Sequence, residues 1–316
     1  MAHKLSPAKF SLISLLLCVA VPLFAHRAEG SNSDENLPPE LAKLQQRARS
    51  GDAQAAYLVG RAYMDGKGVR QDFHEAGVWF TQAAGGGSAD GDFALGYLYE
   101  HGRGVARNSR LAFVHYNVAA EKGHLDAENN LASMYEHGEG VKKNLQLAVR
   151  WYLAAANQGN VVAQCNLASL YLAGKGVERD DTQSAVWFKA AARQGYAPAQ
   201  ENLAWMYYTG TGTALDFAQA AKWVRRAAER GFARAQLDLA YLYEQGKGVD
   251  LDYVKAYSWY KAASVGGDKR ATSQLKSIAH LMTQEQISKA NDLADHLPTA
   301  SQADDGLIGT AFLDQK

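Results

Sequence analysis

The stretch Ala163–Val177, AQCNLASLYLAGKGV, decides the fold, because variants of it recur along the chain at a fixed interval. Its Gly-x-Gly motif returns every 36 residues, and the first glycines of the six copies are Gly66, Gly102, Gly138, Gly174, Gly210 and Gly246. Columns of tyrosine, tryptophan and alanine keep the same period. Six full units therefore run from residue 51 to residue 266, and a period of this length is typical of solenoids.

Each unit is predicted to form two helices. In the third unit, one apolar stripe with helical spacing contains Ala127, Leu131, Met134 and Tyr135. The glycines then end this helix, because glycine adopts the left-handed conformation that a helix stop requires. A second helix is predicted over 145–157, with an inner face formed by Ala148, Trp151, Tyr152 and Ala155. Such a hairpin must stack on its neighbours to bury both faces, which predicts an all-α, right-handed α-solenoid of helix-turn-helix repeats.

Different segments flank the repeats. Residues 37–50 match only a second helix and predict an N-terminal half-repeat, while 267–297 predict C-terminal capping helices. Thr283 and Gln286 have the spacing of a capping box at the start of the last helix. Segments 26–36 and 298–316 are predicted to be a flexible linker and a flexible tail.

Residues 1–25 are predicted to be a signal peptide. Lys4 and Lys9 precede an apolar run over 10–24, which is shorter than the roughly 20 residues of a membrane span. Cleavage after Ala25 or as late as Gly30 fits the sequence. An uncleaved anchor and a lipoprotein using Cys18 are the alternatives. The expected location is periplasmic or secreted, with no stable membrane insertion after cleavage.

Charge and motifs exclude several function classes. Lys+Arg and Asp+Glu both number 33, so the chain lacks the net positive charge that usually supports binding to nucleic acid, and no nucleic-acid partner is expected. Ser273 and Lys276 form a Ser-x-x-Lys sequence, but neither Ser-Asp-Asn nor Lys-Thr-Gly accompanies it. The sequence predicts no catalytic residue, cofactor or metal site, and we expect the protein not to be an enzyme.

The repeat A-x-A-Q-x-N-L-A-x-x-Y-x-x-G-x-G-V resembles the Sel-1-like repeat, a relative of the tetratricopeptide repeat, over about residues 40–280. The resemblance implies a protein-interaction scaffold, in bacteria often exported. Some secreted relatives carry a cysteine pair in every repeat and are linked to β-lactam binding, and this chain lacks those pairs. The function expected is an exported scaffold that binds a protein or peptide of unknown identity. The alternative is an envelope enzyme or ligand-binding protein, such as a weak β-lactam-binding hydrolase.

Three columns of the first helix vary between repeats and share one helix face, since they are spaced i, i+4 and i+7. By analogy with the tetratricopeptide repeat, this face lines a concave groove. The candidate protein-binding residues in these columns are Tyr57, Arg61, Phe93, Tyr97, Glu100, Glu136, Glu201, Trp205, Tyr208, Tyr241 and Glu244. Exposed aromatic rings beside charges are typical of binding hot spots.

Two alternatives remain open for these columns: the rings pack between adjacent first helices, or the chain is a spacer without a groove partner. The groove hypothesis predicts that Tyr97, Trp205 and Tyr241 are more accessible than the tyrosines two residues later, Tyr99, Tyr207 and Tyr243. Two residues correspond to about 200° around a helix, so the two sets point in different directions.

The signal-peptide hypothesis predicts the cellular location and the size of the mature chain. Fractionation is expected to find the protein outside the cytoplasm, shortened by roughly the first 25 to 30 residues, as mass spectrometry of its N-terminus would show. Full-length protein in the cytosolic fraction would contradict both export and an envelope role.

Overall fold

The computed structural model describes residues 37–298, which form fifteen α-helices. The helices are α1 (Pro39–Arg49), α2 (Ala53–Asp65), α3 (Phe73–Gly85), α4 (Ala89–His101), α5 (Ser109–Glu121), α6 (Leu125–His137), α7 (Leu145–Asn157), α8 (Val161–Ala173), α9 (Asp181–Arg193), α10 (Ala197–Thr209), α11 (Phe217–Ala228), α12 (Ala233–Gln245), α13 (Tyr253–Val265), α14 (Lys269–Ala279) and α15 (Gln284–Ala294). The predicted signal peptide, the linker and all of the tail after Pro298 lie outside the described residues.

The helices form two compact units, 37–124 with α1–α5 and 125–298 with α6–α15. Within each unit, consecutive helices up to α14 pack against each other, and α15 packs against α13. The predicted all-α solenoid is confirmed. Helix α1 precedes the first repeat, and α14 and α15 follow the sixth, where Thr283 and Gln286 form the expected capping box. None of the helices in the described range is both long and apolar enough to cross a membrane.

A column of Asp or Asn begins each second helix. Its members are Asp72, Asn108, Asn144, Asp180, Asp216 and Asp252. Each side chain accepts a hydrogen bond from a backbone N–H of the first helical turn, which would otherwise lack a partner. The backbone N–H of each also donates to the backbone carbonyl of the tyrosine that recurs in the first helix of the same repeat, at 2.8–3.1 Å. The cap therefore starts the second helix and closes the loop at the same time.

The first glycine of each Gly-x-Gly motif terminates the first helix. It has φ between 62° and 80° in all six copies. In the second repeat, Gly102 is the left-handed cap of α4, and the N–H of Arg103 donates to the carbonyl of Leu98 at 3.0 Å. This is a Schellman-type ending that satisfies carbonyls left over at the helix end.

The second glycine of the motif has an additional steric role. A Cβ atom on Gly104 would lie 2.5 Å from the carbonyl carbon of Phe73, the first residue of α3. A Cβ on Gly176 would lie 2.5 Å from the carbonyl oxygen of Leu145, which begins α7. Gly212 and Gly248 make the same close approach to the starts of α9 and α11. In these four repeats the loop thus presses its backbone against the second helix of the preceding repeat.

One mainly aromatic column of the second helices lies in the core. Its members are at most 1% exposed and comprise Phe80, Tyr116, Tyr152, Phe188, Val224 and Tyr260. Gly60 faces the Phe80 ring so closely that a Cβ would lie 2.6 Å from it. The tryptophan column is less uniform, because Trp79, Trp223 and Trp259 are buried whereas Trp151 is only half-buried. The expectation that Trp151 belongs to the buried inner face is therefore only partly correct.

Replacement of Gly104 by alanine is expected to destabilise the protein more than replacement of Gly87. Both glycines have positive φ, 72° and 91°, but no atom lies within 4 Å of a Cβ on Gly87. Gly87→Ala should therefore cost about 1–2 kcal/mol from backbone strain alone. Gly104→Ala should cost a further 1–3 kcal/mol or so, because a methyl group must displace backbone atoms. Chemical unfolding of both variants measures the difference, and equal losses would contradict the close-approach role.

Candidate functional site

In the unit 37–124, five aromatic and cationic side chains at or near the candidate columns remain accessible. We call them the α2–α4 face, and they are Tyr57 and Arg61 of α2, Phe93 and Tyr97 of α4, and Arg103 of the following loop. Arg61 and Arg103 are exposed, and the three rings are half-buried. Tyr57 and Phe93 occupy equivalent positions in successive repeats, as do Arg61 and Tyr97.

On α2, Arg61 is held by its own helix. Its guanidinium donates to the Tyr57 hydroxyl at 3.1 Å and to the Asp65 carboxylate at 3.2 Å. The hydrogen bond to Tyr57 is the main cause that raises the pKa of Arg61, with Asp65 adding to it. The guanidinium is therefore fixed in place while its side chain is 44% exposed.

On α4, Phe93 lies between two other rings. Its centroid is 4.3 Å from that of His124, in a stacked arrangement, and 5.6 Å from that of Tyr116. The His124 ring also lies 3.4 Å from the Asp90 carboxylate. Stacking fixes the orientation of the Phe93 ring, since such aromatic pairs favour defined geometries.

Arg103 is a site residue that the sequence reasoning missed. As the middle residue of Gly102–Gly104, its guanidinium lies 5.5 Å from the Tyr97 ring centroid and 5.2 Å from that of Phe73. These are cation–π distances. In this unit the accessibility prediction holds, because Tyr97 is half-buried whereas Tyr99 is only 5% exposed.

In the unit 125–298, the accessibility prediction is wrong. Tyr241 is 3% exposed and Tyr243 is 8% exposed, so Tyr241 is no more accessible than the packing tyrosine beside it. Trp205 and Tyr207 are both half-buried, so the expected difference in their exposure is not seen. The candidate residues Tyr208 and Glu201 are also buried, at 9% and 6% exposure.

Lys247 lies over three rings of this buried region. Its ammonium donates to the Tyr208 hydroxyl at 2.7 Å and lies 4.9 Å from that ring centroid. The same nitrogen is 5.4 Å from the Phe217 centroid and 5.7 Å from that of Tyr241. Lys247 occupies the same position in its loop as Arg103, but here it covers a cluster of rings that is already buried.

Three candidate glutamates serve the packing of their own repeats. The Tyr116 hydroxyl donates to Glu100 at 2.6 Å, the Tyr152 hydroxyl to Glu136 at 3.0 Å, and the Tyr260 hydroxyl to Glu244 at 2.6 Å. Burial, with the nearby glutamate adding to it, raises the pKa of Tyr152 and of Tyr260, so both hydroxyls keep their proton. The three glutamates stay candidates for the groove, and each already has a hydrogen-bond partner in its own repeat.

The sequence contains a signal for this pairing, which is a correlation between two columns of the repeat. Each pair is separated by 16 residues, and glutamate occurs only where the second position is tyrosine. In the other three repeats the pairs are Met64 with Phe80, Leu172 with Phe188, and Tyr208 with Val224. The residue at the first position thus varies with its buried partner 16 residues later. This correlation is visible only when the two columns are compared.

Glu201 lies in a buried group of charges between α10 and α12. Burial, followed by the charge of Asp238, raises its pKa to about 8, and Arg234 and the Ala235 amide oppose this shift. The Arg234 Nε lies 3.9 Å from the Glu201 Oε2, which is too long for a hydrogen bond. That oxygen has no hydrogen-bond partner among the described residues. Arg234 therefore offsets only part of the cost of burial, and Glu201 favours its protonated form.

The described residues offer little covalent chemistry. Ser273 and Lys276 are both exposed on α14. Cys165 is 2% exposed and lies in the core. Within residues 37–298, no group of three His, Cys, Asp or Glu side chains is arranged to hold a metal ion.

A family model described as Sel1 repeat matches six consecutive segments, 53–88, 89–124, 125–160, 161–196, 197–232 and 233–268. The chain is similar to the crystal structure of a Sel1 repeat protein from Oxalobacter formigenes, with 29% identity and a TM-score of 0.62 over 71% of this chain and 94% of that one. It is also similar to c5321, a protective antigen present in uropathogenic Escherichia coli strains, with 22% identity and a TM-score of 0.39 over 80% and 93% of the two chains. None of the curated proteins matches it.

The pairing of Glu136 with Tyr152 predicts a double-mutant effect. Tyr152→Phe and Glu136→Leu alone should each destabilise the protein by about 1–3 kcal/mol, because each removes the hydrogen bond between Tyr152 and Glu136. The double variant copies the Leu172–Phe188 pair of the next repeat. It should be more stable than additivity predicts by about 1–2 kcal/mol in urea unfolding.

Glu136→Leu combined with Tyr260→Phe is the matched control, because Tyr260 pairs with Glu244 instead. The losses of stability from these two substitutions should simply add. Equal coupling in both double variants would mean that the Glu136–Tyr152 hydrogen bond is not the source.

Glu201 predicts an unusual dependence of stability on pH. Its folded pKa of about 8 lies above the ordinary value of 4.5, so the folded chain retains a proton that the unfolded chain loses in this range. The contribution of Glu201 to stability is thus fully present below about pH 4.5 and falls as the pH rises towards 8. Glu201→Gln should flatten the decline of melting temperature between pH 5 and 8 or so, whereas Glu139→Gln, at an exposed position, should not. An unchanged slope in the Glu201→Gln protein would contradict the protonated form.

Proposed function

Because this chain belongs to the Sel1 repeat family, we propose that it is an exported scaffold that binds a protein or peptide partner on its α2–α4 face. Six family repeats cover residues 53–268. The solenoid fold supports a general role in protein–protein interaction, since each repeat presents outward positions that packing does not use. Export is supported by the sequence of residues 1–25 and periplasmic or secreted location follows from it.

The observation that carries the choice of face is the pairing of accessible aromatic rings with exposed arginines in the first unit. Tyr97 with Arg103, and Tyr57 with Arg61, form cation–aromatic pairs with accessible members. In the second unit the equivalent Tyr241 is buried. Tyrosine and arginine are enriched among the residues that dominate interface energies. The α2–α4 face therefore has the composition of a binding hot spot.

The contacts within the face also reduce the entropic cost of binding. Arg61 is hydrogen-bonded to Tyr57 and Asp65, and the Phe93 ring is stacked on His124. Side chains that are already ordered lose less freedom when a partner binds. The two exposed guanidiniums favour a partner surface that offers carboxylates or backbone carbonyls.

Site-specific photo-crosslinking in intact cells tests this proposal. A photoreactive phenylalanine analogue in place of Tyr97 is expected to capture a discrete protein, whereas the same analogue in place of Val186, which is 53% exposed, is not. Adding Arg61→Glu and Arg103→Glu should reduce capture at position 97 by about tenfold or more, because reversal of hot-spot charges costs several kcal/mol.

Arg193→Glu is the matched control for charge reversal at an exposed position of a second helix. It should leave capture unchanged, and circular dichroism should show all variants to be folded. No adduct at position 97, or the same adducts from positions 97 and 186, would contradict binding on the α2–α4 face.

A further inference from the structure

Helix α11 carries three cations on one side. Lys222, Arg225 and Arg226 are spaced i, i+3 and i+4, and they line a cleft of about 300 Å³ together with Glu229 and the backbone around Gly248. Like charges at these spacings destabilise a helix. Within residues 37–298, none of the three cations forms an ion pair with a carboxylate. The cleft therefore carries three cations against the single carboxylate of Glu229, in a chain whose formal net charge is zero.

Two of these cations are held in position. The Arg225 guanidinium donates to the Tyr243 hydroxyl at 2.8 Å. The Arg226 guanidinium lies over the Trp223 ring, 4.7 Å from its centroid. Guanidiniums fixed in this way bind carboxylates with little loss of side-chain freedom. The cleft thus has the chemistry of a site for an acidic peptide segment.

The described chain ends beside this helix. The Gln236 side-chain amide donates to the carbonyl of Pro298 at 3.0 Å and to the carbonyl of Ala228 at 3.3 Å. Ala228 is the last residue of α11. Pro298 therefore lies next to the C-terminal end of α11. The cleft residue Glu229 directly follows this end.

The sequence after Pro298 has the complementary charge. Residues 299–316, TASQADDGLIGTAFLDQK, contain Asp304, Asp305 and Asp314 and one cation, Lys316. Asp304 is six residues beyond Pro298 and can reach up to about 20 Å from it. Lys222 lies six residues before Ala228, about 9 Å along the helix axis. The acidic segment is thus long enough to reach all three cations.

We propose that residues 299–316 bind in the basic cleft of α11, with their aspartates paired to Lys222, Arg225 and Arg226. This intramolecular contact neutralises the repulsion on α11 and involves none of the residues of the α2–α4 face. It goes beyond the proposed binding of a partner and does not depend on it.

Zero-length carbodiimide crosslinking of the full chain tests the contact, because this reagent joins a carboxylate to an amine only when the two touch. Mass spectrometry is expected to find an amide between Lys222 and Asp304 or Asp305 at a yield that does not change on dilution. The crosslink should disappear in Asp304→Asn/Asp305→Asn protein. Lys142 and Lys143, which are exposed in the loop of the third repeat, are the control amines and should not crosslink to this segment.

Deuterium exchange supplies a second readout. Lys222→Glu/Arg226→Glu should raise the exchange rate of residues 299–316 by about fivefold, the effect expected of a few surface charge pairs. Lys142→Glu/Lys143→Glu should not change it. Three results would each overturn the proposal: crosslinks that join two copies and increase with concentration, equal crosslinking to Lys142, or exchange of 299–316 that is the same in both charge-reversed proteins.

Discussion

The contact between a Gly-x-Gly loop and the preceding second helix, made at Gly104, Gly176, Gly212 and Gly248, is the constraint on which the repeat structure depends. The first glycine ends a helix with positive φ, and the second brings its backbone against residues such as Phe73 or Leu145. A side chain at the second glycine would occupy the same space as backbone atoms. The spacing of successive repeats within each unit is therefore set by backbone atoms, and the side chains fill the space that remains.

This constraint leaves few positions free for recognition. The aromatic column headed by Phe80 is fully buried, and the glutamate column is matched to tyrosines within the same repeats. Lys247 covers the rings of the last repeats. Two accessible surfaces that carry cations are the α2–α4 face in the first unit and the cationic side of α11 in the second. The two differ in chemistry, since the first combines rings with arginines and the second is mainly basic.

The sequence was sufficient for the repeat, the helix pairs and the role of the first glycine, because all three depend on local conformation and on period. It was not sufficient for the second glycine, whose neighbour is 31 residues earlier, as in Gly104 and Phe73. The burial of Tyr241 could not be predicted either, because it depends on how Lys247 and Phe217 meet in three dimensions. The pairing of Glu136 with Tyr152 was present in the sequence, but only as a correlation between two columns.

Site-resolved hydrogen–deuterium exchange on the Gly212→Ala protein tests the central role of the loop contact most directly. Gly212 faces the carbonyl group of Asp181 at the start of α9, where a methyl group has no space. Because a solenoid is stabilised by contacts between neighbours, we predict faster exchange in α9, α10 and α11 and unchanged exchange in α1–α5. Exchange identical to that of the wild-type protein in α9–α11, or a uniform increase along the whole chain, would contradict the account.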